Sequence, residues 1–280
     1  MKEGFVLGLM KVIPKKTVSR WMGRFARSPF SRRMIPYYIR RFDVDVDQAE
    51  KPVSEYRTLL EFFVRKLKNG ARPVPEDPRL IISPVDCCIS QLGRIENGVL
   101  IQAKGVTYTL NALLGGDQEK TESFQEGFFI TMYLSPKDYH RIHMPVRGKV
   151  VGLSYIPGSL FPVNPLGVRR VRGLFTKNER LITYLDSDAG YVAVVKVGAT
   201  NVGSIKVEYD QDICTNLPRR KCVETRTYSS KEFWEKGAEL GRFEFGSTVI
   251  LLFQKGQIDW EDLKPGMTLR MGQSIGRIIK

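Results

Sequence analysis

The chain has 280 residues, 42% hydrophobic and 26% charged, which excludes a disordered or collagen-like polymer and leaves length for one large domain with an appendage. The formal net charge is +14. Residues 1–41 hold eleven Lys and Arg against one acid, Glu3, so ten of those fourteen charges belong to an N-terminal arm suited to an anionic partner, nucleic acid or a membrane surface.

Within that arm, Val18, Trp21, Met22 and Phe25 recur at helical spacing, with Arg20, Arg24 and Arg27 between them. This interleaving favours a membrane, because a helix with an apolar and a cationic face can lie among lipid headgroups. A surface helix packed on its own domain remains the alternative. The apolar run at 5–10 is too short for a signal-peptide core and is closed by Lys11. The charge-free stretch 150–168 is broken by Pro157, Pro162 and Pro165, so no transmembrane helix is expected. The expectation is a peripheral protein on the cytoplasmic face of the cell membrane, without nucleic acid as a partner.

Residues 1–50 read as a basic, helical, membrane-associating segment broken by Pro14, Pro29 and Pro36, and 51–280 as the catalytic domain. The stretch 55–68, EYRTLLEFFVRKLK, reads as a second amphipathic helix, ended by a proline-rich turn region between Pro73 and Pro78. From about Leu80, short apolar runs alternate with Gly, Asn and Pro turns, which predicts strands. The fold class is therefore α+β: a helical basic N-terminal segment, then a mostly β catalytic core of small sheets or a barrel. Residues 198–204, GATNVGS, read as a hairpin turn between two strands.

Four cysteines, Cys87, Cys88, Cys214 and Cys222, include no C-x-x-C pair and predict reduced thiols with no metal site. The only histidines, His140 and His143, share the segment SPKDYHRIH. Ser135-Pro136 reads as a helix start, which would put both imidazoles on one side of a short helix. Surface or capping histidines and a two-histidine metal site are the competing readings. Asp86 ends the run SPVD, where a turn former is usual unless it meets a histidine in space. Phe245-Gly246-Ser247-Thr248 opens the apolar run 249–253, VILLF, expected to be a buried strand. Gly-Ser there is usually only a turn, and it is not the G-x-S-x-G elbow of a hydrolase.

These features stand in a longer order: EFFVRKLKNGARP (61–73), SPVD (83–86), IQAKGVTYTLNALLG (101–115), YLSPKDYHRIHMPVRG (133–148), YIPGSLFPVNP (155–165), VGATNVGSI (197–205) and GRFEFGSTVILLF (241–253). In that order they resemble the bacterial, pyruvoyl-dependent phosphatidylserine decarboxylase proenzyme family. The resemblance covers most of residues 60–255. Cys87 stands where Gly is commoner, and Phe245 where Leu is.

The resemblance implies a decarboxylase that makes phosphatidylethanolamine and CO2 from phosphatidylserine in an anionic membrane. It implies autocatalytic serinolysis between Gly246 and Ser247, with Asp86, His143 and Ser247 as a charge relay. The cut gives a β chain, 1–246, and an α chain, 247–280, which stay associated. Ser247 becomes a covalent pyruvoyl group that forms a Schiff base with the substrate amine, so neither pyridoxal phosphate nor a metal is required. His140 is the candidate for protonating the decarboxylated carbon. A homodimer is left open. The alternatives are a serine hydrolase using Ser247, His143 and Asp86, and a non-enzymatic basic lipid-binding module.

Overall fold

A computed structural model describes residues 15–103, 105–200, 204–217, 222–229, 231–245 and 247–279. Gly246, residues 1–14 and Asn201–Gly203 of the GATNVGS run lie outside them.

The architecture is α+β, with helices concentrated at the N-terminus and a core of several sheets rather than a closed barrel. An antiparallel sheet of eight strands forms its spine, in the spatial order Glu224–Thr227, Gly148–Ile156, Arg180–Ser187, Gly190–Gly198, Ser247–Phe253, Phe128–Leu134, Cys87–Arg94 and Thr268–Leu269. The Ser247–Phe253 strand lies inside it, and all seven of its residues are buried. Val249, Leu251 and Phe253 enter one apolar cluster with Met132, Leu134, Ile142 and Phe243. Ile250 and Leu252 enter another with Ile182, Tyr184, Val195 and Val197. With both faces covered, the sequence runs apolar without the polar alternation of a half-exposed strand.

A three-stranded sheet, Ser204–Val207, Glu239–Glu244 and Arg141–His143, contributes Ile142, Ile205 and Phe243 to the first cluster. The GATNVGS run therefore joins strands of two different sheets, and the expected hairpin does not form.

The expected 55–68 helix is shorter than its pattern. It is α-helical only over Leu59–Phe63, with the Thr58 side chain accepting from Glu61 N–H at its start. Leu67 then bridges to Ala49. Tertiary contacts override the helical period here: Leu60, Phe62 and Phe63 are already buried, and the Val64 carbonyl accepts from Arg141 Nε at 2.9 Å.

The basic segment forms a helix over Lys15–Arg27. Its inward face is small, with Ser19 and Ala26 buried. Trp21 is 71% exposed, and Met22 and Phe25 point to solvent as well. The helix therefore packs on its own domain through small residues and leaves its aromatic residues outward. Arg27 reaches the buried Glu244 carboxylate, which Ser204 Oγ and Lys206 also approach. Among the described residues no helix is long and apolar enough to cross a membrane.

Lys196, in the Gly190–Gly198 strand, is fully buried. Its ammonium group donates to Thr183 Oγ1 and to the Val194 carbonyl, and among the described residues it has no carboxylate partner. Burial lowers its pKa to about 7. The unfolded lysine binds its proton below about pH 10.5 while the folded one resists down to about 7, so this contribution is complete above pH 10.5 and lost as pH falls towards 7. Lys196→Met should raise the thermal unfolding midpoint at pH 7 and flatten its rise between pH 7 and 10; an unchanged slope in calorimetry would contradict this account.

Candidate active site

Ser247 begins its strand paired with Leu134 on one side and Gly198 on the other. Its hydroxyl is buried and has no hydrogen-bond partner among the described residues. Phe245, two residues earlier, has φ of 81°, a conformation that bulky side chains rarely adopt. The turn before Ser247 is therefore strained at a fixed place, as functional backbone often is. The Phe245 ring lies 4.5 Å from that of Phe63, centroid to centroid, and Phe63 lies 4.0 Å from the His140 imidazole.

The two histidines do not share a helix. Residues 135–140 form a turn in which Asp138 accepts from Ser135 N–H at 2.6 Å, and Arg141–His143 is a strand paired with Glu239–Arg242. Ser135 is thus the donor to a carboxylate and not the cap of a helix. Ile142 fills the core between the two histidines.

His140 is fully buried, and its carbonyl accepts from Phe243 N–H at 3.0 Å, tying it to the strand that leads into Ser247. Its Nδ1 donates to the Asp138 carbonyl at 2.8 Å, which leaves Nε2 as the acceptor of the neutral ring, with no partner. Burial lowers its pKa to about 3.

His143 is engaged at both nitrogens. Nδ1 donates to the Gly237 carbonyl at 2.7 Å, and Nε2 accepts from the Tyr139 hydroxyl at 3.0 Å. Burial lowers its pKa too. Gly237 has φ of 84°, and a Cβ there would meet Val74 Cγ2 at 2.7 Å, so only glycine presents that carbonyl without strain.

Asp86 lies next to His143 in chain path, because His143 N–H donates to the Pro84 carbonyl at 2.9 Å. Its hydrogen bonds nevertheless go elsewhere. Arg72 grips both carboxylate oxygens, with Nε at 2.8 Å from Oδ1, and Met271 N–H donates to Oδ1 at 2.8 Å. The structure thus brings Asp86 and His143 into one neighbourhood but hydrogen-bonds neither to the other. Asp86 acts on His143 through its charge, which favours the imidazolium.

Arg72, Tyr139, Gly237 and Phe63 complete the neighbourhood and carry no chemical signature in sequence. Tyr139 directly precedes the first histidine in DYHRIH, and Arg72 directly precedes the proline-rich turn; the order of residues does not disclose that they meet.

Two cavities lie in this region, one lined by Phe63 and one by Arg65, two residues further along the chain. One, of about 310 Å³, is apolar and is lined by Met22, Phe25, Phe42, Phe63 and Phe245. The other, of about 470 Å³, is polar and is lined by Arg72, Asp86, Asp138 and Tyr139 among others. Among the described residues no cluster of metal-ligating side chains occurs.

The Ser247 hydroxyl is thus buried and unbonded among the described residues, at a strand start two residues after a left-handed Phe245. The model of the phosphatidylserine decarboxylase family matches residues 59–277. A phosphatidylserine decarboxylase proenzyme of Brevibacillus brevis is 48% identical over 277 residues, covering 98% of each chain. One of Myxococcus xanthus is 44% identical, over 99% of this chain and 100% of its own. One of Shewanella amazonensis is 42% identical, over 97% and 98%. The chain belongs to the phosphatidylserine decarboxylase family.

The histidine burial has a measurable consequence. Unfolded histidine takes a proton below about pH 6.5 while folded His140 does so only near pH 3, so the stability from burying it neutral is complete above 6.5 and lost as pH falls. His140→Phe, which keeps a ring against Phe63, should make the thermal midpoint fall less steeply between pH 6.5 and 4; an equal slope in both proteins would refute this.

Proposed function

We propose that this chain decarboxylates phosphatidylserine to phosphatidylethanolamine and CO2, after cutting itself between Gly246 and Ser247. The observation that carries the self-cutting step is the Ser247 hydroxyl, buried and unpaired among the described residues at a strand start, two residues after the strained Phe245. The full-length likeness to decarboxylase proenzymes supports the activity.

In the first step His143 takes the Ser247 hydroxyl proton as Oγ bonds to the Gly246 carbonyl carbon, then gives it to the Ser247 nitrogen as the Gly246–Ser247 C–N bond breaks, leaving an ester and a free Ser247 amine. The His143 Nδ1–H is fixed on the Gly237 carbonyl, so Nε2 is the basic nitrogen, and it must exchange the Tyr139 hydroxyl for that of Ser247. Asp86 stabilises the resulting imidazolium through its negative charge and stays on Arg72. Loss of the Ser247 Cα proton then expels the Gly246 carboxylate from Cβ. The remaining enamine tautomerises to an imine, adds water and releases ammonia.

The residues fit a pyruvoyl group at position 247. The side chain there is enclosed, with no hydrogen bond to give up among the described residues. When present, that group supplies the electron sink that decarboxylation of an amino acid requires. His140 does the proton work. Of the four imidazole nitrogens, Nε2 of His140 is the one without a partner among the described residues, so it can take a proton from the substrate ammonium and return it to the carbon that loses CO2.

The N-terminal helices would place this site on an anionic membrane. Trp21, Met22, Phe25, Phe30, Met34 and Tyr37 are exposed within a stretch that also exposes Arg24, Arg27, Arg32 and Arg33. Phe25 and Met34 lead from that surface into the apolar cavity that ends on Phe63 and Phe245.

Mass spectrometry of the denatured wild type should show two fragments, 1–246 and a 247–280 fragment with a blocked amino end, while Ser247→Ala stays whole. An intact wild type, or a fluorophosphonate adduct on Ser247, would sink the proposal in favour of a hydrolase. His140→Ala should still cut itself but lose most CO2 release, at least about a hundredfold. Trp21→Ala with Phe30→Ala should weaken binding to phosphatidylserine vesicles at least about tenfold, judged by co-sedimentation; unchanged binding would remove the membrane assignment.

A further inference from the structure

Arg65 follows Phe63 by two residues and is only 4% exposed. Its guanidinium has one hydrogen bond among the described residues, from Nη2 to the Lys137 carbonyl at 3.0 Å. Among the described residues Nε and Nη1 have no partner, and no carboxylate forms a salt bridge with the group. An enclosed guanidinium with open donors is costly, because desolvation is not repaid. Burial accordingly lowers its pKa.

Arg65 lines the polar cavity of about 470 Å³. Across that cavity Arg72 and Asp86 neutralise each other. Asp138 accepts from Ser135 N–H, and burial pushes its carboxyl pKa up, which weakens its claim on a cation. Lys137 and Arg270 add positive charge to the walls, facing Asp43 and Asp45. Among the described residues Arg65 is thus the buried cation of this cavity that keeps open donors, where Lys137 and Arg270 are not buried.

We propose that Arg65 is the oxyanion-binding residue of this cavity and takes the anionic headgroup of the phospholipid substrate, through its phosphodiester or its carboxylate. This rests on the decarboxylase reading and deepens it. The position argues for a headgroup over a free ion. Phe63, whose ring touches both His140 and Phe245, also lines the apolar cavity. Apolar volume, reacting residues and open cation therefore lie along one short path, matching an amphiphile with apolar tails and a charged head. The Arg65 charge is close enough to His140 to disfavour its protonation. A bound oxyanion offsets that charge and makes His140 easier to protonate when substrate is present. Arg65 is thereby a binding residue that also conditions the proton carrier.

The test uses the full chain, with self-cutting read by mass. Calorimetry follows binding of sn-glycero-3-phosphoserine, inorganic phosphate and L-serine to wild type, Arg65→Lys and Arg65→Gln. Glycerophosphoserine affinity should fall at least about tenfold in Arg65→Gln and by less in Arg65→Lys, with cutting at 246–247 intact in both. Competition by phosphate assigns the phosphodiester, and competition by serine assigns the carboxylate. On vesicle substrate, Arg65→Lys should raise KM with little change in kcat. Should Arg65→Gln fail to fold, Arg65→Lys carries the test alone. Affinity within twofold of wild type in every folded variant, or no measurable glycerophosphoserine binding by wild type, overturns the assignment. A wild type that neither cuts itself nor releases CO2 defeats the decarboxylase reading; one that does both while the variants bind normally defeats the Arg65 assignment alone.

Discussion

Burial of the Ser247–Phe253 strand on both faces is the constraint on which the rest depends. Seven residues pair with Phe128–Leu134 on one side and seven with Gly190–Gly198 on the other. This ladder fixes where Ser247 must be: at the first rung, with Leu134 and Gly198 as its neighbours. A cut before Ser247 leaves the ladder untouched. The 247–280 fragment also supplies Ile258–Trp260, Thr268–Leu269 and Ser274–Ile278, each paired with another strand, and Ser274–Ile278 with Leu80–Ile82 of the larger fragment. Two such fragments hold together by the same apolar burial and backbone pairing that folded the single chain.

The same ladder organises the polar residues around it. Leu134 is the last residue of the strand beside Ser247, and the chain leaving it carries Asp138, His140 and His143 within nine residues. That short tether leads from the strand beside Ser247 to both histidines, whose surroundings differ. His143 enters a strand and is fixed through both nitrogens, while His140 ends a turn and keeps one nitrogen open. Two identical side chains thus acquire unlike environments. Asp86 completes the contrast, because its salt bridge with Arg72 makes it a fixed source of charge beside His143 and not a hydrogen-bond partner.

Much of this was legible in sequence. Strands such as Ser247–Phe253 and Gly190–Gly198 announce themselves by apolar runs between turns, and the α+β class follows from them. The candidate site positions were singled out only through the ordered resemblance, since Gly-Ser, H-x-x-H and an Asp at a strand end are each commonplace alone. What misled was local pattern under tertiary control. EYRTLLEFFVRKLK keeps a helical period over 14 residues, yet only five are α-helical, because Leu67 is drawn into a bridge with Ala49. Ser-Pro before DYHRIH mimics a helix cap, but the core draws Ile142 into a strand, which puts the histidines on no common helical face. Arg72 and Gly237 were illegible for a different reason: their roles exist only across long loops, in contacts with Asp86 and His143.

The N-terminal helix shows how the surface and the centre are made one structure. Its small residues let it lie close to the core, and its aromatic residues are left outward. Arg27 then reaches across to Glu244, a nearly buried carboxylate three residues before Ser247 and shared with Ser204 and Lys206. A buried carboxylate is tolerable only when such partners surround it, so the strand that delivers the reactive turn needs that side of the molecule to be built. Glu244 also pairs across the ladder with Ser204, at the end of the run that leaves Gly198, the other neighbour of Ser247. The Lys15–Arg27 helix is therefore attached to the frame of the reactive serine. The apolar cavity running from Phe25 to Phe245 follows that attachment. A helix whose outer face is aromatic and cationic and whose inner side is tied to Glu244 holds that face at a fixed distance from the Ser247 strand, the geometry that the proposed reaction on a membrane-held substrate would need.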